Sequence, residues 1–468
     1  MEAALFSTLN LKPELLNNLE SLGYNQMTAI QQKSLPAMLD RKDVIAQAET
    51  GSGKTAAFAL TLLQHMDIQQ FGGKVLPTQA LILCPTRELA DQVAKEVRKL
   101  ARALSNIKVL TLCGGVPVRS QVSSLAFGAD IVVGTPGRIQ DHLKRETLKL
   151  TDVKTLVLDE ADRMLDMGFQ QAIADINQQT PSDKQTLLFS ATYSGKVKTI
   201  AKKMMQNPKV IKVASLHDSS TISQHFFELQ HDKLRLDALK RILLAFTPES
   251  AVVFCNTKRD AQDVTDSLID SGFSALDLTG DLEQRDRDQT LIQFANKSIS
   301  ILVATDVAAR GLDMDKLDMV INYHLAHDPE SHIHRIGRTG RAGSTGAAYS
   351  LFTPNEGHQI GLFEDVLKQP IHAEPLPPES VLEQTPKPST MQTLQIGGGK
   401  KQKLRAGDIL GALTSDGGIA GKQVGKINIG DNWSYVGIQR DVLHQAKQKL
   451  SEGKLKGKSY RIRLLKNT

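Results

Sequence analysis

Apolar residues in this chain arrive in short unbroken runs rather than in alternation with polar ones. The first six runs are Val44-Ile45-Ala46, Ala80-Leu81-Ile82-Leu83, Val109-Leu110-Thr111-Leu112, Ile131-Val132-Val133, Thr155-Leu156-Val157-Leu158 and Thr186-Leu187-Leu188-Phe189. A strand with one wet face would alternate, so runs this short and this apolar predict strands buried on both faces. Stretches of helical length separate most of them, which predicts an α/β fold with a parallel sheet. The pattern restarts after about residue 215, with Ala251-Val252-Val253-Phe254, Ser274–Leu278, Ile301–Ala304, Met319–Asn322 and Ala347–Phe352 as its strands. A short amphipathic helix near Pro13–Leu22 precedes all of this, inside a capping region of residues 1–30.

Pro375, Pro377, Pro378, Pro386 and Pro388 oppose both helix and central strand, and they mark a linker over residues 371–390. Beyond it the pattern reads β-α-β-β-α-β. The strands fall near Thr393–Ile396, Val424–Ile429, Tyr435–Gln439 and Tyr460–Leu465, and the helices near Ala406–Leu413 and Asp441–Ser451. That order predicts a small α+β domain like an RNA-recognition motif. The expected layout is therefore a cap (1–30), a first α/β domain (31–212), a second (213–370), the linker and a tail domain (391–468).

Charge sharpens this picture. The whole chain is +6, but residues 391–468 alone carry 15 Lys and Arg against 5 Asp and Glu. A basic tail on a slightly acidic body points to a dedicated polyanion-binding module, with a merely solvated lysine-rich surface as the bland alternative. No apolar run approaches the roughly 20 residues that span a bilayer, so no membrane partner is expected. Only Cys84, Cys113 and Cys255 occur, without a CxxC pair. They exclude a disulfide framework and a cysteine-rich zinc site, and they fit a reducing, cytoplasmic setting.

The candidate chemistry begins at Ala48-Glu49-Thr50-Gly51-Ser52-Gly53-Lys54-Thr55. The segment follows one apolar run and opens a helical one. Its glycines would let backbone N–H groups face a β-phosphate, Lys54 would reach the β/γ-phosphates, and Thr55 would ligate Mg²⁺. The first position of the usual G-x-x-x-x-G-K-T is Ala48 here. Asp159-Glu160-Ala161-Asp162 ends another apolar run, where ligands bind in open α/β sheets. Asp159 is placed to hold Mg²⁺, Glu160 to orient and deprotonate the attacking water, and Asp162 to link the metal site to the second domain. The second domain has no phosphate loop of its own.

With these motifs in place, residues 5–355 resemble a DEAD-box RNA helicase of superfamily two. The resemblance implies two tandem RecA-like domains, ATP and Mg²⁺ as cofactors, and RNA as partner. It implies adenine recognition by Gln31 with Phe6 upstream and Tyr24 near the base, although Met27 and Ala29 stand where the family usually has prolines. It implies RNA-backbone contacts from Thr86 and Arg87 of Pro85–Ala90, from Gly115 of Gly114-Gly115, and from Thr135 and Arg138 of Thr135–Arg138. Ser190-Ala191-Thr192 resembles the motif coupling hydrolysis to unwinding, with hydroxyls bonding the Asp159–Asp162 carboxylates. Gln284-Arg285-Asp286-Arg287 resembles one that helps hold RNA. In Ala304–Asp313, Thr305 would touch RNA phosphate while Gly311 and Asp313 meet the ribose of ATP. In His334–Arg341, Arg338 and Arg341 would be the arginine fingers.

The tail has its own resemblance. Ile396–Leu413 and Gly425–Ile429 resemble the tail of the bacterial DbpA subfamily, which implies binding of a 23S ribosomal RNA hairpin and a role in large-subunit assembly. The aromatic platform usual for RNA-recognition sheets is poorly matched here. Binding is expected instead at Lys400, Lys401, Lys403 and Arg405. The expected protein is a monomeric ATP-dependent RNA helicase. An ATP-driven RNA clamp, a generic RNA chaperone and a DNA translocase are the alternatives.

Overall fold

A computed structural model describes residues 4–48, 51–67, 76–213, 222–309, 317–340, 346–415 and 418–465. The chain divides into two compact units near residue 216. Among the described residues, the first unit holds a sheet of β1 (Val44–Gln47), β2 (Ala80–Leu83), β3 (Val109–Leu112), β4 (Ile131–Gly134), β5 (Thr155–Leu158), β6 (Gln185–Ser190) and β7 (Lys209–Lys212). Its order is β3-β4-β2-β5-β6-β1-β7, and every pairing is parallel.

The predicted two-sided burial is found in β2, β4, β5 and β6, whose residues are all buried. β7 was not expected from the sequence. It reads Lys-Val-Ile-Lys at the sheet edge, with only Ile211 buried. Lysines on an edge strand block further pairing and also hide the strand from a hydrophobicity scan.

The second unit begins with another strand the apolar pattern passes over, β8 (Ile222–Glu228). It continues with β9 (Ala251–Cys255), β10 (Ala275–Leu278), β11 (Ile301–Thr305), β12 (Met319–Asn322) and β13 (Gly346–Phe352). The order is β10-β11-β9-β12-β13-β8, again all parallel. β8 mixes Ser223, Gln224 and His225 into its length, because as an edge strand it is only partly covered.

The tail is the predicted β-α-β-β-α-β unit. Its strands β14 (Met391–Ile396), β15 (Val424–Ile429), β16 (Ser434–Gln439) and β17 (Ile462–Leu464) form an antiparallel sheet ordered β15-β16-β14-β17. The last strand is shorter than Tyr460–Leu465. Helices Ala406–Thr414 and Leu443–Glu452 cover one face, and Leu394, Ile396, Val436, Ile438 and Ile462 fill the core beneath them.

Candidate active site

Sheet order positions the chemistry. β5, β6 and β1 are neighbours, so the loop after β1, Asp159 after β5 and Ser190 at the end of β6 emerge side by side at the carboxyl edge. β3, β4 and β2 are neighbours on the other half of the same edge. They deliver Gly115, Thr135 and Thr86 together. One sheet edge is thus divided into a half carrying the phosphate-type motifs and a half carrying the backbone-contacting motifs.

Gly51 and Gly53 have φ of 82° and 96°, the left-handed region that favours glycine. Gly53 also caps helix Lys54–His65, which aims the helix N-terminus into the loop. Lys54 is buried and its ammonium donates to the Ala48 carbonyl at 3.0 Å, folded back on its own loop. Gln31 is 2% exposed; its amide nitrogen donates to the Gly53 carbonyl at 3.0 Å, and its oxygen accepts the Thr28 amide at 2.8 Å. A Cβ on Gly53 would lie 2.6 Å from the Gln31 amide nitrogen. The predicted base-reading amide and the phosphate loop are therefore one packed unit.

Phe6 and Tyr24 occupy different settings. The Leu5–Gln26 bridge brings the Phe6 turn beside the Tyr24–Met27 segment. Phe6 itself is 3% exposed, in the core with Leu11 and Leu15. Tyr24 donates its hydroxyl to Glu96 at 2.6 Å, and the Lys99 ammonium lies 4.8 Å from its ring centroid. Helix Arg87–Leu100 thus engages that ring.

Asp159 is 2% exposed, and its Oδ1 has no hydrogen-bond partner among the described residues. Burial pushes its carboxyl up to about 6; the Lys54 ammonium opposes the shift and the Glu160 carboxylate adds to it. A buried, unpartnered carboxylate oxygen beside a phosphate-type loop and Thr55 is the donor set a Mg²⁺ ion fits, so the residues present suit the implied metal. Glu160 adopts the left-handed conformation at φ 54°, uncommon for a non-glycine residue and characteristic of functional turns. Its carboxylate accepts from Arg163 Nη1 at 2.8 Å, with both side chains buried.

Asp162 corrects one expectation. Its Oδ2 accepts the backbone amides of Ala191 at 3.1 Å and Thr192 at 2.9 Å. The link between the two motifs therefore runs through main-chain N–H groups rather than through hydroxyls, and the buried Ser190 Oγ has no partner among the described residues. Backbone amides at a strand end are fixed in direction, which suits them to hold a carboxylate better than a rotating hydroxyl does.

On the other half of the edge, Thr86 caps helix Arg87–Leu100 by accepting the Leu89 amide, and Arg87 pairs with Asp91 at 3.7 Å. Gly115 has φ 74°. Arg138 donates from Nη1 to the Val116 carbonyl at 3.0 Å and to Gln121 at 2.9 Å, so it braces the loop that carries Gly115.

In the second unit, Thr305 ends β11 and Arg338 is buried. Gly311, Asp313 and Arg341 lie outside the described residues. Arg287 donates to the Ala308 carbonyl at 2.6 Å, tying the Gln284–Arg287 helix to the turn after Thr305. Sequence reasoning missed Arg335. Its guanidinium forks onto Asp306 with two bonds of 2.7 Å and also reaches Asn256, Asn322 and the His324 carbonyl, at 1% side-chain exposure. It pins the helix that begins at Asp306 directly after Thr305. Its place inside the His334–Arg341 motif was the available signal.

In the tail, Lys400, Lys401, Lys403 and Arg405 are all exposed around the turn Lys400–Gln402. That turn is seated against the hairpin of β15 and β16 by Lys400 N–H donating to the Gly430 carbonyl at 2.8 Å. A Cβ on Gly399 would lie 2.3 Å from the same carbonyl, so the glycine run makes close seating of the basic turn possible.

Comparison with known proteins identifies the family. Models of the DEAD/DEAH box helicase, the helicase conserved C-terminal domain and the DbpA RNA binding domain match residues 28–200, 234–343 and 393–464. Among solved structures, S. cerevisiae Dbp5 bound to RNA and ADP BeF3 superposes with a TM-score of 0.72 at 30% identity, covering 82% of this chain and 100% of that one. Two RecA-like parallel-sheet domains with this phosphate loop and Asp-Glu-Ala-Asp turn define the class, and the chain belongs to the family of DEAD-box ATP-dependent RNA helicases.

Within that family it is of the DbpA type. It is 51% identical over 462 residues to the Escherichia coli ATP-dependent RNA helicase DbpA, covering 98% of this chain and 99% of that protein. The Listeria monocytogenes ATP-dependent RNA helicase CshA is 43% identical over 371 residues, 79% of this chain and 70% of that protein.

Proposed function

We propose that this chain hydrolyses ATP to separate short RNA duplexes, and that its tail recruits it to a 23S ribosomal RNA hairpin during large-subunit assembly in the cytoplasm, as a monomer. The observation that carries the catalytic part is Asp159, buried beside the phosphate loop with an oxygen that has no hydrogen-bond partner among the described residues. Mg²⁺ held by Thr55 and Asp159 would neutralise charge on the β- and γ-phosphate oxygens. Lys54 exchanges its Ala48 carbonyl for phosphate oxygens, and the amides of Ser52 and Gly53 with Gly51 cradle the β-phosphate. Glu160 orients the attacking water and takes its proton. Gln31 reads the adenine, with Phe6 and Tyr24 at the base end and Gly311 and Asp313 at the ribose.

Arg338 and Arg341 supply the guanidinium charge that stabilises the transferring phosphoryl group. Thr86, Arg87, Gly115, Thr135, Arg138 and Thr305 hold the RNA backbone without reading bases. The exposed Lys400, Lys401, Lys403 and Arg405 support RNA capture by the tail, and the match to the DbpA RNA binding domain supports the ribosomal target.

The test compares ATPase rates on RNA with and without the 23S hairpin, for the full chain and for Lys400→Glu/Lys401→Glu/Lys403→Glu. Hairpin-specific stimulation in the full chain that the triple variant loses is the expected result. Equal stimulation by any RNA in both would leave a generic RNA helicase.

A further inference from the structure

Residues 193–213 contain six lysines and no acidic residue: Lys196, Lys198, Lys202, Lys203, Lys209 and Lys212. The fold turns all six outward. Helix Gly195–Met204 buries Val197, Ile200, Ala201 and Met204, which leaves its four lysines exposed. On edge strand β7, Lys209 and Lys212 flank the buried Ile211 and are exposed as well. Helix Ala29–Leu39 packs on the other face of the same sheet. Its exposed Lys33 reaches round to this edge, where the ammonium donates to the Lys212 carbonyl at 3.5 Å.

These seven lysines hold the positive balance of the first unit. Residues 1–216 carry 26 Lys and Arg against 20 Asp and Glu; without the seven, the count is 19 against 20. Lys196 pairs with Asp166 at 3.4 Å. The other six have no ion pair among the described residues. A face that is merely kept soluble mixes both signs, because a block of one sign repels itself. Two lysines on β7 suffice to discourage edge pairing, so that need does not account for the other five.

The residue types select the partner. An ammonium is a point charge on a flexible stem, without the planar fork by which arginine matches one anion geometry. Seven lysines therefore suit a repeated anion met in any register, which is the backbone of a nucleic acid. A lipid surface fits poorly. The apolar side of helix Gly195–Met204 faces the core, and on this face Val210 is the large apolar residue left out, at 46% exposure. A protein partner would need a central aromatic or arginine anchor. The aromatic at hand, Tyr193, is half-buried, with the Lys198 ammonium 5.3 Å from its ring centroid.

β7 stands at the opposite end of the sheet from β3, which is about 29 Å away at roughly 4.8 Å per strand spacing. The lysine edge is thus separate from the half that carries Thr86, Gly115 and Thr135. We propose that this edge is a second RNA-binding surface. It holds the sugar–phosphate backbone of structured RNA flanking the strand being worked on, and it reads no sequence. Any RNA long enough to reach past the first half of the sheet fits it, ribosomal or not.

The full chain tests this as Lys202→Gln/Lys203→Gln/Lys209→Gln/Lys212→Gln. All four sites are exposed, and ATPase without RNA should match the parent. Affinity for a long RNA hairpin is followed across a salt titration. The slope of log affinity against log salt should flatten by roughly 3, at about 0.7–0.9 for each backbone contact removed. Affinity for a short single strand should stay level. A parental slope would overturn the proposal, and so would equal weakening on the short strand.

Lys95→Gln/Arg102→Gln/Lys144→Gln/Lys149→Gln removes the same charge from other exposed sites of the first unit. It should keep the parental slope; equal flattening there would reduce the effect to net charge and overturn the proposal. Binding to phosphatidylserine vesicles that the first variant loses, with an unchanged RNA slope, would overturn it in favour of a lipid surface.

Discussion

Gln31 bridges Thr28 and Gly53, accepting the amide of one at 2.8 Å and donating to the carbonyl of the other at 3.0 Å. One side chain therefore closes the first turn of helix Ala29–Leu39 and holds the last glycine of the phosphate loop. Gln31→Ala is expected to lose about 1–2 kcal/mol of loop stability, which reads as several-fold weaker ATP binding and a lower melting temperature. Gly53→Ala should be worse, because its Cβ meets Gln31 and φ is 96°. A fluorescent-nucleotide titration checks both, and unchanged affinity in Gln31→Ala would contradict the role.

Asp159 carries a pH signature. Its carboxyl is raised from 3.8 to about 6, so the folded state favours the neutral acid. That contribution to stability is present below pH 4 and is lost as pH climbs through 6. Asp159→Asn should therefore melt higher than the parent at pH 8 without nucleotide, by about 2–3 kcal/mol, and the gap should close at pH 4. ATPase should disappear in the variant. Melting curves that differ equally at both pH values would refute the assignment.

Asp162 and Ser190 should separate cleanly. Removing the carboxylate in Asp162→Ala leaves the Ala191 and Thr192 amides unpaired, at a cost of about 2–4 kcal/mol, and unwinding should fall further than ATPase. Ser190→Ala removes a buried hydroxyl without a partner among the described residues, so thermal stability should stay level or rise. A strongly destabilised Ser190→Ala would restore the hydroxyl to the structural role that the geometry gives to the amides.

Arg335 is a buried fork on Asp306, and lysine cannot reproduce two parallel bonds. Arg335→Lys is expected to cost about 3 kcal/mol or more, because Asp306 keeps a charge with a poorer partner. The measurement is denaturant unfolding of the full chain. A loss of turnover without any loss of stability would make Arg335 a reaction residue instead of a pin.

Much of this could be read along the chain. Fully buried parallel strands leave short, unbroken apolar marks, so β2, β4 and β5 were evident from their residues alone. β7 and β8 were not, since Lys209, Lys212, Ser223 and Gln224 sit on sheet edges where water and charge are tolerated. Lys54, Thr55, Asp159 and Glu160 stand out as candidates because phosphate and metal chemistry demands those residue types at the ends of strands. Gly311, Asp313 and Arg341 remain readings of the sequence.

Local pattern by itself determined the two α/β domains, the tail and the candidates for the reacting groups, because strand burial, helix starts and phosphate loops are written in neighbouring residues. Only the tertiary structure decided that Gln31 rests on Gly53, that Asp162 is held by main-chain amides, that Arg335 is a pin and that Lys33 reaches Lys212. Each of these joins residues distant along the chain, and the choice among many compatible partners is made by strand order and close packing, which no local pattern contains.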